Sequence, residues 1–268
     1  MDRYAVIGQP VAHSRSPQIH AQFASQTGQS LSYDAVEVDP AALPATLREL
    51  HAQGLGGLNV TLPHKVAVMA LCEQLTERAA LAGAVNTLAR TETGWQGDNT
   101  DGEGLLRDLQ RLGYTVRGQR VLIIGAGGAV RGILGPLLGE QPQELVVSNR
   151  NPWKPEALAE QFKAVGAIRP CTHLALKGDR YDLIIHATSA GHSGTFPKLP
   201  GPLLAEGGAG YDLSYGTAFE PFRAWAQAQG ATRIADGLGM LVEQAAAAFE
   251  IWRGVRPQTP AVIDRLRA

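Results

Sequence analysis

Cysteine is nearly absent. Cys72 and Cys171 are the only two in 268 residues, far apart and in no C-x-x-C pair, so neither a disulfide framework nor a thiolate metal site organises this chain. Charge of either sign is not in excess: 24 Lys plus Arg stand against 25 Asp plus Glu, for a net charge of −1. The sequence pI is near 6.7, and nothing points to nucleic acid or an anionic membrane as a partner. No apolar run approaches the roughly 20 residues that span a bilayer, and no basic-plus-apolar signal opens the sequence. These absences predict a soluble cytoplasmic protein whose partners are small molecules. The length fits one large or two modest domains with well-buried cores.

What is present is organised around residues 120–150, which read as strand, glycine turn, helix, strand. Val121 to Ile124 is a short β-branched and aliphatic run that suits a parallel strand buried on both faces. Gly125, Gly127 and Gly128 turn the chain, and Ala129 to Leu138 continues at helical spacing. Glycines there leave no Cβ between backbone N–H groups and a diphosphate, and the helix N-terminus adds partial positive charge. The third glycine of G-x-G-x-x-G would fall at Val130; the small Ala129 can take part of its close-packing role. The next strand, Glu144 to Ser148, ends in Ser148-Asn149-Arg150, with Lys154 beyond. An NAD site commonly has Asp or Glu at that point, whereas two cations and the hydrogen-bonding side chains of Ser148 and Asn149 suit a phosphorylated ribose. The reading is NADP over NAD, against the plainer one that Arg150 and Lys154 are solvated surface charges.

Earlier in the chain, Tyr4 to Gly8 reads as a strand, and His13-Ser14-Arg15-Ser16-Pro17 leads into a helix closed by Gly28. Ser16 before Pro17 is a good N-cap. That accounts for Ser16 but not for Ser14, and two hydroxyls at a helix N-terminus also suit a carboxylate; the residues leave both readings open. Leu31 to Val38 is a strand and Pro40 to Gln53 a helix. Leu58 to Lys65 then runs from strand through a proline turn into a helix, which puts Thr61 and Lys65 at a strand's carboxyl end, where open α/β sheets build ligand sites. Elsewhere a lone lysine is a surface charge. In the helical stretch Thr76 to Ala82, Thr76 reads as a cap and Glu77 as a dipole partner. Gly83 to Leu88 is a strand in which Asn86, an amide among apolar residues, needs partners when buried. Gly97 to Gly102 resembles a calcium loop, but Leu109 stands where its closing glutamate belongs. Thr100 or Asp101 is then a helix N-cap, or Asp101 a catalytic carboxylate.

In the second half, a helix runs from Pro155 through Ala164, and Tyr181 to Ala187 is a strand. Ala187 and Thr195 spoil two frames of G-x-S-x-G, so a serine nucleophile is not expected and the Thr188 backbone is read as lining a cofactor channel. Ala209 to Leu213 is a strand with Tyr215 beyond its end, and Asp236 to Met240 opens the last long helix. Its apolar stripe is core packing; Gln244 alone is singled out. His186 and His192 are pocket-edge or surface groups that need no ion, and no metal is expected.

The ordered motifs GQPVAHSRSP, NVTLPHK, GAVNT, GDNTDG, GAGGAVR, SNRN, ATSAG, YDLSYG and DGLGMLVEQAA resemble the shikimate dehydrogenase family along nearly the full length. The resemblance implies two α/β domains with a central cleft: a substrate domain of residues 1–100 plus 238–268 and a Rossmann-type NADP-binding domain of residues 101–237. It implies NADPH-dependent reduction of 3-dehydroshikimate to shikimate, a step toward chorismate and the aromatic amino acids, by a monomer or homodimer. Ser14 and Ser16 would hold the substrate carboxylate, and Thr61, Asn86, Tyr215 and Gln244 the ring hydroxyls, beside the catalytic pair Lys65 and Asp101. Glu77, Gly125, Ala126, Gly127, Gly128, Ala129, Asn149, Arg150, Asn151, Lys154, Thr188, Leu213, Gly237 and Met240 would bind the cofactor. Three residues depart from the family pattern: Ala21 and His186 stand where asparagine is usual, and Asn151 where threonine often is. The rival readings are an NAD-preferring quinate/shikimate dehydrogenase and a non-catalytic binding or regulatory protein that keeps the pocket.

Overall fold

The structure is a computed structural model describing residues 1–268. The chain forms two compact units, residues 1–105 with 241–268, and residues 106–240.

The first unit opens with β1 (Asp2–Gly8), α1 (Ser16–Thr27), β2 (Leu31–Glu37), α2 (Leu43–Ala52) and β3 (Gly57–Val60). A short 3-10 segment, Ala67–Leu71, leads to β4 (Gln74–Leu75), α3 (Glu77–Ala82), β5 (Thr87–Arg90), β6 (Trp95–Asp98) and the start of α4 (Asp101–Arg111). The strands form one mixed sheet in the order β2-β1-β3-β5-β6-β4. Each buried strand supplies an apolar run, and Ile7, Leu58, Val60, Leu88 and Trp95 join Leu43, Leu47 and Leu50 of α2 in one core. The turn at residues 62–66 is followed by a 3-10 segment rather than the expected α-helix.

The second unit is built from β7 (Arg120–Ile124), α5 (Gly128–Gly139), β8 (Glu144–Ser148), α6 (Trp153–Phe162), β9 (Arg169–Cys171), β10 (Tyr181–His186), β11 (Leu204–Asp212), α7 (Glu220–Ala228) and β12 (Arg233–Ala235). All its strands are parallel, in the order β12-β11-β10-β7-β8-β9. Strand order therefore reverses between β7 and β10, the switch point at which doubly wound sheets bind ligands. Helix α6 starts at Trp153, two residues before the expected Pro155, because proline is tolerated in a helix's first turn. The chain re-enters the first unit within α8 (Leu238–Arg253) and ends in α9 (Pro260–Arg267). The change-over points lie a few residues beyond the expected 100/101 and 237/238, so Asp101 belongs to the first unit, where the first turn of α4 is bonded.

Candidate active site

Strand direction brings the polar residues of the first unit to one edge of its sheet. β1 and β3 are parallel, so Ser14 and Ser16, beyond β1, and Thr61 and Lys65, beyond β3, leave the sheet at the same end. β5 runs against β3 and β6 against β5, so Asn86, just before β5, and Asp101, just after β6, arrive there too.

Lys65 and Asp101 meet. Lys65 Nζ donates to Asp101 Oδ2 at 2.5 Å, with the side chains 14% and 6% exposed. Asp101 Oδ1 accepts from Asn86 Nδ2 at 2.8 Å, and the same amide faces Thr100 Oγ1 at 2.9 Å and Gln244 Oε1 at 3.2 Å. Asn86 Oδ1 accepts the Thr100 N–H and the Thr87 hydroxyl, each at 2.8 Å, so the buried amide is satisfied at both ends. The Lys65 carbonyl accepts the Val85 N–H at 2.7 Å, which pins the lysine's backbone next to Asn86. Asp101 is not a helix cap: its N–H donates to Asn99 Oδ1 at 3.1 Å, and its carboxylate is engaged by Lys65 and Asn86.

The loop that carries Asp101 is itself anchored. Arg78 grips Asp98 with two bonds of 2.6 and 2.8 Å, and Thr76 and the Asn99 N–H add bonds of 2.7 Å each. Burial raises the Asp98 carboxyl, but its bonds with Arg78 and Thr76 outweigh burial and hold its pKa below the ordinary value. Thr76 does cap α3, accepting from Ala79 N, and Glu77 is the exposed first residue of that helix.

Ser16 is not the cap expected of it. Helix α1 begins at Ser16, its N-cap is Arg15 and no side chain caps it; the Ser16 N–H donates to Ser14 Oγ at 3.2 Å. Ser16 is buried, and its side chain bonds the Tyr33 phenol. Ser16 is linked to the Lys65 network through Tyr33, which donates to Asn59 Oδ1, and Asn59 Nδ2, which donates to the Asn86 carbonyl; Thr61 shares the sheet edge.

In the second unit, Gly125 follows β7 at φ +124°, where a Cβ would stand 2.6 Å from the Ala187 carbonyl oxygen. Only glycine fits that crossing of the chains leaving β7 and β10. At Gly127 and Gly128, by contrast, a Cβ would meet nothing within 4 Å. That clear space lies over the first turn of α5, where helical N–H groups lack intrahelical partners, and it fits a diphosphate. Ala126 and Ala129 are half-buried beside it, and Val130 is buried at the third glycine position. After β8, Asn149 Oδ1 accepts the Asn151 N–H and Asn151 Oδ1 accepts the Trp153 N–H, so these amides shape the turn that presents the exposed Arg150 and Lys154. Leu213 and Gly237 are brought together: a Cβ on Gly237 would stand 2.2 Å from the Leu213 carbonyl oxygen. Met240 is buried on α8, and Tyr215 is half-buried just before the 3-10 segment Gly216–Phe219.

Along the whole chain, a shikimate dehydrogenase (NADP(+)) from Methylococcus capsulatus is 51% identical, covering 100% of this chain and 96% of the relative. The chain belongs to the shikimate dehydrogenase family. Residues 6–88 match the shikimate dehydrogenase substrate binding domain, residues 108–194 the shikimate/quinate 5-dehydrogenase domain, and residues 237–267 the shikimate 5'-dehydrogenase C-terminal domain. Similar solved structures include the following two. An Ael1 enzyme from Pseudomonas putida has a TM-score of 0.92 at 43% identity, over 99% of this chain and 98% of that one. Shikimate 5-dehydrogenase from Thermus thermophilus, in complex with NADP(H) and shikimate, has a TM-score of 0.87 at 34% identity, over 100% and 99%.

Two expectations are corrected within this family frame. His186 is neither a pocket-edge nor a surface group: it is fully buried, with Nδ1 3.0 Å from Asp212 Oδ2 and Nε2 2.6 Å from Thr188 Oγ1. The ring is thus held from both nitrogens, by the Asp212 carboxylate at Nδ1 and the Thr188 hydroxyl at Nε2. The Ser148 side chain is not offered to a ligand, because it is buried and its hydroxyl lies 2.8 Å from His173 Nδ1. Sequence reasoning also missed Asn59 and Thr87 behind Asn86, and read Thr100 as a helix cap where its hydroxyl instead meets Asn86 and the Gln244 carbonyl. Asn59 Nδ2 donates to the Asn86 carbonyl and to Thr87 Oγ1, and Asn59 Oδ1 accepts from Tyr33. The signal for Asn59 lay in an amide inside the apolar stretch Leu58–Leu62, the same signal that singled out Asn86.

Proposed function

We propose that this chain is an NADP-dependent shikimate dehydrogenase that reversibly reduces 3-dehydroshikimate to shikimate. The observation that carries the reading is the Lys65–Asp101 pair, 2.5 Å apart and backed by Asn86 and Gln244. NADPH, when bound, supplies the hydride. Lys65 then offers an ammonium proton to the ring oxygen that turns negative as the hydride arrives, and takes it back in the reverse direction. Asp101 holds Lys65 in place and accepts from a neighbouring substrate hydroxyl.

Ser14 and Ser16, at the start of α1, take the substrate carboxylate, and Thr61, Asn86, Gln244 and Tyr215 take its hydroxyls. The turn opened by Gly125 receives the diphosphate on backbone N–H groups of Ala126, Gly127, Gly128 and Ala129, and Asn149, Arg150, Asn151 and Lys154 hold the ribose phosphate. Thr188, Leu213, Gly237, Met240 and Glu77 complete the cofactor contacts. The first unit is thus the substrate domain and the second the cofactor domain. The absence of a carboxylate from Ser148-Asn149-Arg150, and the NADP(+) specified in the relative's name, favour NADP over NAD. The presence of both Lys65 and Asp101 disfavours a binding protein without activity.

The test follows reduced-nicotinamide absorbance with shikimate and with quinate, each against NADP and NAD. Shikimate with NADP is expected to turn over fastest. Preference for NAD, or quinate turnover equal to that of shikimate, would support the quinate/shikimate rival, and tight NADP binding with no turnover the regulatory one. Arg150→Ala is expected to weaken NADP by about 1–3 kcal/mol, the scale of a charge-assisted bond to phosphate, and NAD far less. Equal losses for both cofactors would remove Arg150 from the phosphate site.

A further inference from the structure

The end of β8 holds a side chain that none of the motifs above accounts for. In a doubly wound sheet this strand end faces the adenosine ribose. Here the last residue of β8, Ser148, is buried beneath His173. Strand β9 pairs with β8 in parallel, Ser148 opposite Cys171, so His173 is two residues beyond the paired position and leaves the sheet at the same end as Asn149 and Arg150. His173 opens a 3-10 segment, His173–Leu176, whose N-cap Thr172 makes no side-chain bond, and its ring is half-buried.

The bonding behind His173 sets which ring nitrogen carries the proton. Ser148 Oγ lies 2.8 Å from His173 Nδ1, and as the donor there it leaves the ring hydrogen to the other nitrogen. Nε2 is left bearing hydrogen, as a donor directed away from Ser148. Burial, and next the nearby Arg150 guanidinium, lower the His173 pKa. Arg150 and His173 therefore gather two donors, one of them a cation, at a strand end with no acid of its own.

We propose that His173 is a further cofactor-specificity residue, whose Nε2–H, oriented by Ser148, donates to the ribose 2′-phosphate alongside Arg150. Ser148 acts through His173 and is a positioning residue. The inference rests on the NADP reading above and deepens it: the phosphorylated ribose is recognised from two strands, β8 through Arg150 and β9 through His173.

The test is the KM and kcat of the full-length enzyme for NADP and for NAD, with shikimate saturating. His173→Phe keeps the ring and removes the donor, and is expected to raise KM for NADP about tenfold, the scale of one hydrogen bond to a charged group, with kcat and the KM for NAD nearly unchanged. His173→Gln, which restores an N–H near the Nε2 position, is expected to recover most of that loss. Ser148→Ala should give a smaller rise confined to NADP. If wild type prefers NADP and His173→Phe keeps that preference, or raises both KM values equally, the assignment of His173 is wrong. If wild type itself shows no preference for NADP, the cofactor reading fails instead, and His173 with it.

Discussion

Lys65→Ala is expected to lower kcat by about a hundredfold or more while leaving the KM for shikimate little changed, the pattern of losing proton transfer rather than uniform binding. The reason is geometric. Lys65 Nζ is the cation bonded to Asp101, and Asp101 is oriented from its other oxygen by Asn86. Removing the amine takes the proton donor from the carbonyl oxygen and also leaves a nearly buried carboxylate without its cation. Breaking a buried pair from one side costs about 3–5 kcal/mol of stability, so folding must be separated from chemistry. The double variant Lys65→Ala with Asp101→Asn removes the stranded charge and is expected to recover stability without recovering turnover. Thermal melts and steady-state kinetics on both proteins decide the matter. A folded Lys65→Ala enzyme with wild-type kcat would exclude Lys65 from the mechanism.

Acidification is expected to destabilise the protein through His20, and His20→Phe to remove that part of the loss. His20 is fully buried in an aromatic nest, stacked on Tyr33 at 4.1 Å between ring centroids and close to Phe23, Phe249 and Trp252. Neither ring nitrogen closes a hydrogen bond, because Tyr33, Asn86 and Thr87 already occupy the nearby Asn59 amide. Burial pushes the His20 pKa from 6.5 down to about 3, and Asn59 offsets only part of this. The sign follows from linkage. Between those two values the unfolded chain binds the proton and the folded chain does not, so stability rises with pH. The contribution is complete above pH 6.5 and is lost at about 1.4 kcal/mol per pH unit as pH falls toward 3, to a total of about 5 kcal/mol. Carboxylates such as Asp98 add their own acid limb in both proteins. Urea midpoints from about pH 7 to about pH 4 should therefore fall more steeply for wild type than for His20→Phe. Parallel slopes would mean that His20 is protonated in the folded state, or that water reaches it.

The chemistry and the Rossmann-type unit were legible in the linear chain because both depend on local order. A β-branched run followed by Gly125-Ala126-Gly127-Gly128 is strand, turn and helix start within one stretch, and burial of Val121, Leu122, Ile123 and Ile124 follows from their composition alone. Lys65 stood out by its position at a strand end and Asp101 by its position at a helix start, both properties of neighbours in sequence. What tertiary structure decided is which partner each polar group takes. The Asp101 carboxylate could have capped its own helix; antiparallel pairing of β5 with β3 and β6 brings Asn86 beside it instead. Ser148 could have faced a ribose, but the register of β9 on β8 places His173 over it. His186 could have stood at the surface, but strand β11 presents Asp212 to its ring in the core. In each case a local pattern offers a donor or acceptor several partners of similar energy. The burial that makes an unpaired group costly, and so selects one of them, exists only once distant strands have been laid side by side.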